Sequence, residues 1–228
     1  MAEEIVAPPV VDGELHRTVK ASYEEYLALP HAGRLIEWVD GEAIYHMPPT
    51  PLHQRLVRFL TILLGQFVDL FSLGEMFPAP IELKCDPAGP SREPDLLFVA
   101  KAYSQRIGEK RIDGPADLVI EVVSDDSVAR DYDEKFIEYQ ECGVSEYWII
   151  DPRERRKRAL FYQLSDAALL EAVMPGEGGI YRSKVVPGFW LKVAWLWELP
   201  DPQLTFGEIA GFSQKTMADL RAMKQSEA

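Results

Sequence analysis

The longest helical pattern in the chain runs from about Leu52 to Phe71, where Leu56, Phe59, Leu60, Leu63, Leu64, Phe67 and Leu70 recur at helical spacing and mark one buried face. Around it the pattern changes to strands. Upstream, Arg34 to Val39 and Glu42 to Met47 alternate about Asp40-Gly41, a two-residue hairpin signal. Ser22 to Leu29 reads as a short helix, with Ser22 as its cap and Glu25 placed to complete a capping box. Pro48, Pro49 and Pro51 separate the hairpin from the long helix. Downstream, strands are predicted at about Met76 to Lys84, Pro94 to Val99 and Asp117 to Val123. The last two are almost continuously apolar, the mark of sheet strands covered on both faces. The polar stretch Lys101 to Pro115 predicts a short helix and a loop, and Glu82 reads as an edge-strand residue. A helix follows from about Val128 to Cys142, with Gly143 as its stop. Glu146 to Ile150 is a further strand, ended by Asp151-Pro152. A β-meander is expected over about 157–163, 168–174, 180–186 and 189–194, and an amphipathic helix over Thr205 to Met223.

The central order is therefore helix, strand, strand, strand, helix, strand. A helix between two strands of one sheet predicts a parallel, right-handed crossover. The flanking hairpins add antiparallel strands, so the fold class is mixed α/β. The expected organisation is a loose Pro- and acid-rich segment over 1–17, a single domain over 18–200, and a C-terminal amphipathic helix within 201–228 packed on the domain or on a partner.

Composition sharpens this picture. With 228 residues, 47% of them apolar, the chain can bury a sizeable core. No apolar run reaches the roughly 18 residues of a membrane span, and the acidic N-terminus lacks the basic and apolar regions of a secretory signal. The expectation is a soluble cytoplasmic protein. Cys85 and Cys142 alone neither suggest a disulfide framework nor provide a thiolate metal cage. The formal charge of −13 is unusual for a nucleic-acid binder. Net charge limits long-range steering more than local binding, however, and a metal site itself needs clustered carboxylates.

Strand alternation singles out two carboxylates. Asp117, Val119, Glu121 and Val123 share one strand face, so Glu121 sits among apolar neighbours, and Asp95 begins the buried run Leu96 to Val99. A buried carboxylate needs a partner or a shifted pKa, and two on neighbouring strands repel each other. A divalent cation resolves both problems, and oxygen ligands suit Mg²⁺ or Mn²⁺. The plainer reading is that Asp95 caps a loop and Glu121 pairs with a nearby Arg or Lys.

Several segments in order, LIEWVDGEAIYHMPPTPLHQRL, EPDLLFV, PADLVIEVVSDDS, RDYDEKFIEYQECGVSEYWIIDP and VVPGFWL, resemble the Uma-two family of restriction-endonuclease-like proteins in the PD-(D/E)XK nuclease superfamily. The resemblance covers about Arg34 to Leu199. It implies a restriction-endonuclease-like core of helix, three strands, helix and strand, here with an N-terminal hairpin and a C-terminal meander plus helix. It also implies metal-dependent hydrolysis of phosphodiester bonds in nucleic acid, with DNA the expected substrate. Asp95 and Glu121 would hold Mg²⁺ or Mn²⁺, with the Val122 carbonyl as a further ligand. The superfamily places a lysine two positions after the second carboxylate, where this chain has Val123. In the family the lysine is taken to come from the following helix, which points to Lys135. Beside Asp131, Glu134 and Glu138, Lys135 also reads as a surface residue in helical ion pairs.

Other candidates carry their own plainer readings. Glu37 is an accessory site residue or an exposed strand carboxylate, and His53 is an accessory residue or a polar helix cap. Arg153, Arg155, Arg156, Lys157 and Arg158 contact nucleic acid or form a solvated turn. Tyr147-Trp148 reads as core packing. A homodimer would suit the cutting of two strands. Two other functions fit the same residues. One is a catalytically inactive nuclease fold used for binding or oligomerisation, which the acidity and the displaced lysine favour. The other is a metal-independent hydrolase with the two carboxylates as acid and base.

Overall fold

The computed structural model describes residues 17–30 and 35–226. The segment expected to be loose therefore lies almost wholly outside the described residues, as does Arg34 at the start of the predicted hairpin. The chain enters through β1 (Arg17–Lys20) and the short helix α1 (Tyr23–Leu27). Ser22 Oγ accepts from the Glu25 N–H while the Glu25 carboxylate accepts from the Ser22 N–H, the expected capping box. β2 (Ile36–Val39) and β3 (Glu42–Tyr45) form the predicted hairpin, with Asp40 and Gly41 at φ of 48° and 83° as so tight a turn requires. The long helix α2 (Pro51–Leu70) starts at a Thr50 cap and buries six residues of the predicted stripe, but Leu70 at its end is 53% exposed.

The next strands are β4 (Gly74–Pro78), β5 (Glu82–Lys84), β6 (Ser91–Arg92), β7 (Leu96–Ala100), β8 (Arg111–Asp113) and β9 (Leu118–Val122). After α3 (Lys135–Cys142) come β10 (Glu146–Asp151), β11 (Arg158–Leu164) and β12 (Leu170–Ala172). β13 (Ile180–Arg182), β14 (Trp190–Lys192), α4 (Trp195–Glu198), α5 (Pro202–Ile209) and α6 (Gln214–Ser226) complete the described chain. No described helix is long and apolar enough to cross a membrane.

These strands build two six-stranded sheets. The central one has the order β12-β11-β10-β9-β7-β4, and the other β1-β3-β2-β6-β5-β8. In the central sheet β9 and β10 are parallel, joined through α3 as the crossover rule predicts. One face, with Leu96, Phe98, Leu118, Ile120, Trp148 and Ile150, packs beneath the apolar stripe of α2. The opposite face, with Leu97, Val99, Val119, Tyr147 and Ile149, packs against Tyr139 of α3. Burial on both faces is what the continuous apolar runs required.

The structure departs from the predicted elements at several points. The strand expected over Met76 to Lys84 is two strands in different sheets, separated by Ala79-Pro80; a proline has no N–H to continue a ladder. Glu82 is not on an edge, since β5 lies between β6 and β8. The stretch expected as helix and loop also contains β8, whose only apolar residue, Ile112, is too isolated to show a period. The meander divides: β11 and β12 extend the central sheet, whereas β13 and β14 form a separate pair. The final helix breaks at Gly211, which adopts φ 73°. The predicted helix over Val128 to Cys142 opens with a π-turn at Arg130–Glu134. Cys85 and Cys142, which did not suggest a disulfide framework, form a disulfide that ties the chain just after β5 to the last residue of α3. Their separation of 57 residues carried no signal.

Glu146 fixes the β13–β14 region to the central sheet. Its buried carboxylate accepts from Trp148 Nε1 (2.6 Å), Tyr181 Oη (2.8 Å), Ser183 Oγ (3.1 Å) and the N–H groups of Lys184 (2.8 Å) and Val185 (3.2 Å). Replacing Glu146 with Ala leaves these donors without their acceptor and is expected to lower the unfolding free energy by about 3 kcal/mol. The change should appear in urea titration as a lower midpoint with an unchanged slope. A midpoint equal to that of the unaltered protein would show that the network adds nothing.

Candidate active site

The β7–β9 pairing sets Leu96 opposite Ile120. Continuing that register by one residue brings Asp95 opposite Glu121, on one face of the sheet. Asp95 Oδ2 accepts from the Val122 N–H at 2.8 Å and lies 3.1 Å from His53 Nε2. His53 sits in the first turn of α2, where its own N–H donates to the Thr50 cap. Burial alone would lower the His53 pKa, but the hydrogen bond to Asp95 and the charges of Asp95 and Asp131 raise it above the usual imidazole value. The plain cap reading of His53 is thus incomplete: Thr50 is the cap, and the imidazole faces the site.

Glu121 is 4% exposed, and both Lys135 Nζ (2.9 Å) and Tyr139 Oη (2.8 Å) donate to its Oε1. Lys135 is 3% exposed, which overturns the surface reading of this lysine. The π-turn ends here: the Lys135 N–H bonds to the Arg130 carbonyl, five residues back. Lys135 Nζ also lies 3.0 Å from Glu37 Oε1 and 3.6 Å from Asp131 Oδ1. Burial alone would lower its pKa, but ion pairs with Glu121, Glu37 and Asp131 outweigh that and keep the ammonium protonated. Tyr147 and Trp148 lie in the core, as expected.

Glu37 is fully buried rather than exposed on its strand. Besides Lys135 it meets Arg92 Nη1 (3.0 Å) and His46 Nε2 (3.1 Å), and it accepts from the Glu93 N–H (3.1 Å). Arg92 in turn donates through Nε (2.7 Å) and Nη2 (2.6 Å) to the Glu138 carboxylate on α3. One guanidinium therefore joins the second sheet to the helix that carries Lys135. Burial would raise the Glu37 carboxyl, but Lys135, His46 and Arg92 together hold it well below its usual value.

His46, His53, Asp95, Glu121 and Lys135 border a cleft of about 660 Å³, lined also by Glu93, Val122 and Asp131. Asp131 was missed as a site residue. Its Oδ2 accepts from Ser127 Oγ, while its buried Oδ1 has no hydrogen-bond partner. His53 Nδ1 and Arg130 Nε are also buried without a partner. Orphaned polar atoms gathered around one cleft point to a ligand, ion or water that completes them. The carboxyls are correspondingly unsettled. Burial pushes Glu121 up, with Lys135 opposing the rise and Asp131, Asp95 and Glu37 adding to it. Burial likewise pushes Glu93 up to about 7 and raises Asp131.

A cation suits this surplus of carboxylate, because it would favour the charged forms that burial resists. The contacts to Asp95 fall on Oδ2 and those to Glu121 on Oε1, so the other oxygen of each lies outside these hydrogen bonds. Among the described residues, no group of three or more His, Cys, Asp or Glu side chains is arranged as a metal cage. The basic run does not line the cleft and forms the turn between β10 and β11. There Arg153 forks onto Asp151, and Arg158 lies over the Tyr132 ring.

The site residues missed in the sequence were Asp131, Arg92, His46 and Tyr139. Asp131 and Tyr139 stand four positions either side of Lys135, a spacing that places them on its helix face. Nothing in the sequence marks Arg92 or His46.

A protein-family model, Uma2, described as "Putative restriction endonuclease", matches residues 23–194. No curated protein matches the chain significantly. Among solved structures, a putative nuclease belonging to DUF820 from Anabaena variabilis is similar, with a TM-score of 0.61 and 19% identity over 77% of this chain and 96% of that one. At that identity the likeness is one of fold.

The Glu37 cluster makes a prediction about acid stability. A carboxylate whose folded pKa is depressed adds stability above its ordinary value near 4.5, and that stability is lost as the pH falls through the folded value. Glu37→Gln should therefore lower the melting temperature at neutral pH, and the difference should shrink as the pH falls below about 4. Thermal melts between neutral and acid pH read this directly. A gap that widens toward acid would contradict the assigned ion pairs.

Proposed function

The chain belongs to the Uma2 family of putative restriction endonucleases, and on that premise we propose that it hydrolyses phosphodiester bonds in DNA at the cleft bordered by Asp95, Glu121 and Lys135. The observation that carries this reading is the 2.9 Å contact between Lys135 Nζ and Glu121 Oε1. The strand offers Val123 where the superfamily pattern has a lysine, and α3 delivers an ammonium to the same carboxylate instead.

Asp95 and Glu121 would hold one divalent cation, Mg²⁺ or Mn²⁺, with the Val122 carbonyl as a further oxygen. When bound, such an ion polarises a phosphate and acidifies water. The protein's own groups do the rest. His53 and the Val122 N–H fix the orientation of Asp95 through its Oδ2. Tyr139 and Lys135 fix Glu121 through its Oε1. Lys135, clamped between Glu37 and Glu121, is a proton donor and fixed positive charge rather than a base. Its charge would offset negative charge that develops in the transition state. Glu37 and Arg92 position that ammonium from the second sheet.

The test is to incubate the purified protein with supercoiled plasmid and with short single-stranded DNA, in Mg²⁺, Mn²⁺ or EDTA. Cleavage is expected with either metal and not with EDTA. Asp95→Ala and Lys135→Ala should each slow it by at least ~100-fold. An Asp95→Ala protein that cuts at the original rate would exclude this site. DNA binding without cleavage in any metal would point instead to a non-catalytic binding module.

A further inference from the structure

The cleft does not itself supply the positive charge that a polyanionic substrate needs. Each cation around it is already engaged: Lys135 by Glu37 and Glu121, Arg92 by Glu37 and Glu138, and Arg130 by Asp126. Asp125 and Asp126 add further acidity to its lining. A chain with a formal charge of −13 offers no long-range attraction to make up the deficit.

The β10–β11 turn carries three free cations in a row. The structure divides its five cations into two groups. Arg153 and Arg158 are used internally. Arg153 donates through Nε and Nη2 to Asp151, both at 2.9 Å, while Arg158 donates to Tyr132 Oη at 2.9 Å and lies over that ring. Arg155, Arg156 and Lys157 are exposed, and among the described residues their side chains have no hydrogen-bond or ion-pair partner. Some exposed cations have carboxylate partners, as Arg111 has Asp113, Lys192 has Glu208 and Lys224 has Asp201, whereas Arg55 and Arg58 on α2 resemble the turn in having none among the described residues. The turn is also held in shape, since the N–H groups of Arg156 and Lys157 both bond to the Arg153 carbonyl, at 2.8 and 3.0 Å.

Its location connects it to the site. Arg153 Nη1 reaches Asp125, which lines the cleft, at 3.8 Å. Tyr132, beside the cleft residue Asp131, donates to Asp151 at 3.0 Å and accepts from Arg158. The turn therefore begins next to the cleft: its base bonds to Tyr132, the neighbour of the lining residue Asp131, and lies within ion-pair distance of the exposed Asp125.

We infer that Arg155, Arg156 and Lys157 form a phosphate-gripping element at the rim of the cleft, and that the substrate is a polynucleotide long enough to reach both. This rests on the nuclease reading of the cleft and adds how that acidic site holds an anionic chain. Phosphate contacts of this kind set position and affinity but read no sequence, so the turn contributes to binding any sequence alike.

The experiment compares the original protein with R155Q/R156Q/K157Q in three arms. In the first, each is combined with Asp95→Ala, so that the probe stays uncut, and binding of a fluorescent DNA duplex is followed by anisotropy across a salt series. The triple variant should bind at least about tenfold more weakly, and its plot of log affinity against log salt should be shallower by about 2 to 3. In the second, plasmid cleavage should slow through a raised KM. In the third, hydrolysis of bis(p-nitrophenyl) phosphate, a diester too small to reach the turn, should be unchanged. Equal duplex binding by both proteins overturns the inference, as does an equal loss on the small diester, which would show that the turn acts through the site. If the original protein cleaves neither substrate, the nuclease reading fails, while the binding arm still decides whether the turn grips DNA.

Discussion

The ammonium of Lys135 is the point on which the arrangement turns. It is buried 2.9 Å from Glu121, 3.0 Å from Glu37 and 3.6 Å from Asp131. These carboxylates come from a central strand of one sheet, a strand of the other sheet, and the π-turn ahead of α3. A buried charge is stable only when it is matched and hydrogen-bonded, and removing one partner leaves the others exposed to the full cost of burial. The two sheets and the helix are thereby locked to one geometry. Arg92 repeats the principle one layer out, tying Glu37 to Glu138.

That geometry leaves an imbalance on the cleft side. Glu121, Asp131 and Glu93 are all pushed above their usual carboxyl values, chiefly by burial. Asp131 Oδ1, His53 Nδ1 and Arg130 Nε have no hydrogen-bond partner. The second sheet has completed its own electrostatics, since Glu37 is held ionised by three basic neighbours. One end of the network is thus closed, and the other keeps buried polar groups without hydrogen-bond partners. Such a division suits a catalytic site, where a firm support must present incompletely satisfied groups to a substrate.

The disulfide supports the same helix from its far end. Cys142 closes α3, and its bond to Cys85 anchors the helix beside β5. With Glu138 on Arg92 and Tyr139 on Glu121, α3 is held along its length by contacts to both sheets. Its pairing is decided wholly by how the sheets pack.

Strand alternation in the sequence was enough to mark Glu121 as a buried carboxylate and Asp95 as the start of a buried run. The apolar periods fixed α2, β7, β9 and β10, because a period records which face is covered. The hairpin at Asp40-Gly41 and the cap at Ser22 were legible because their chemistry is local. The split of Met76 to Lys84 between two sheets, the short β8 and the separate β13–β14 pair were not, because short polar strands are chosen by their partners and leave no period of their own. Local spacing made Lys135 look like an exposed helical ion pair with its acidic neighbours. Only the tertiary structure brought Glu37, 98 positions earlier in the chain, and Glu121 onto the same ammonium and turned a surface pattern into a buried site. The sequence by itself determined which residues had to be buried. The tertiary structure decided which of them meet, because charges far apart in the chain pair only once packing has removed the water between them.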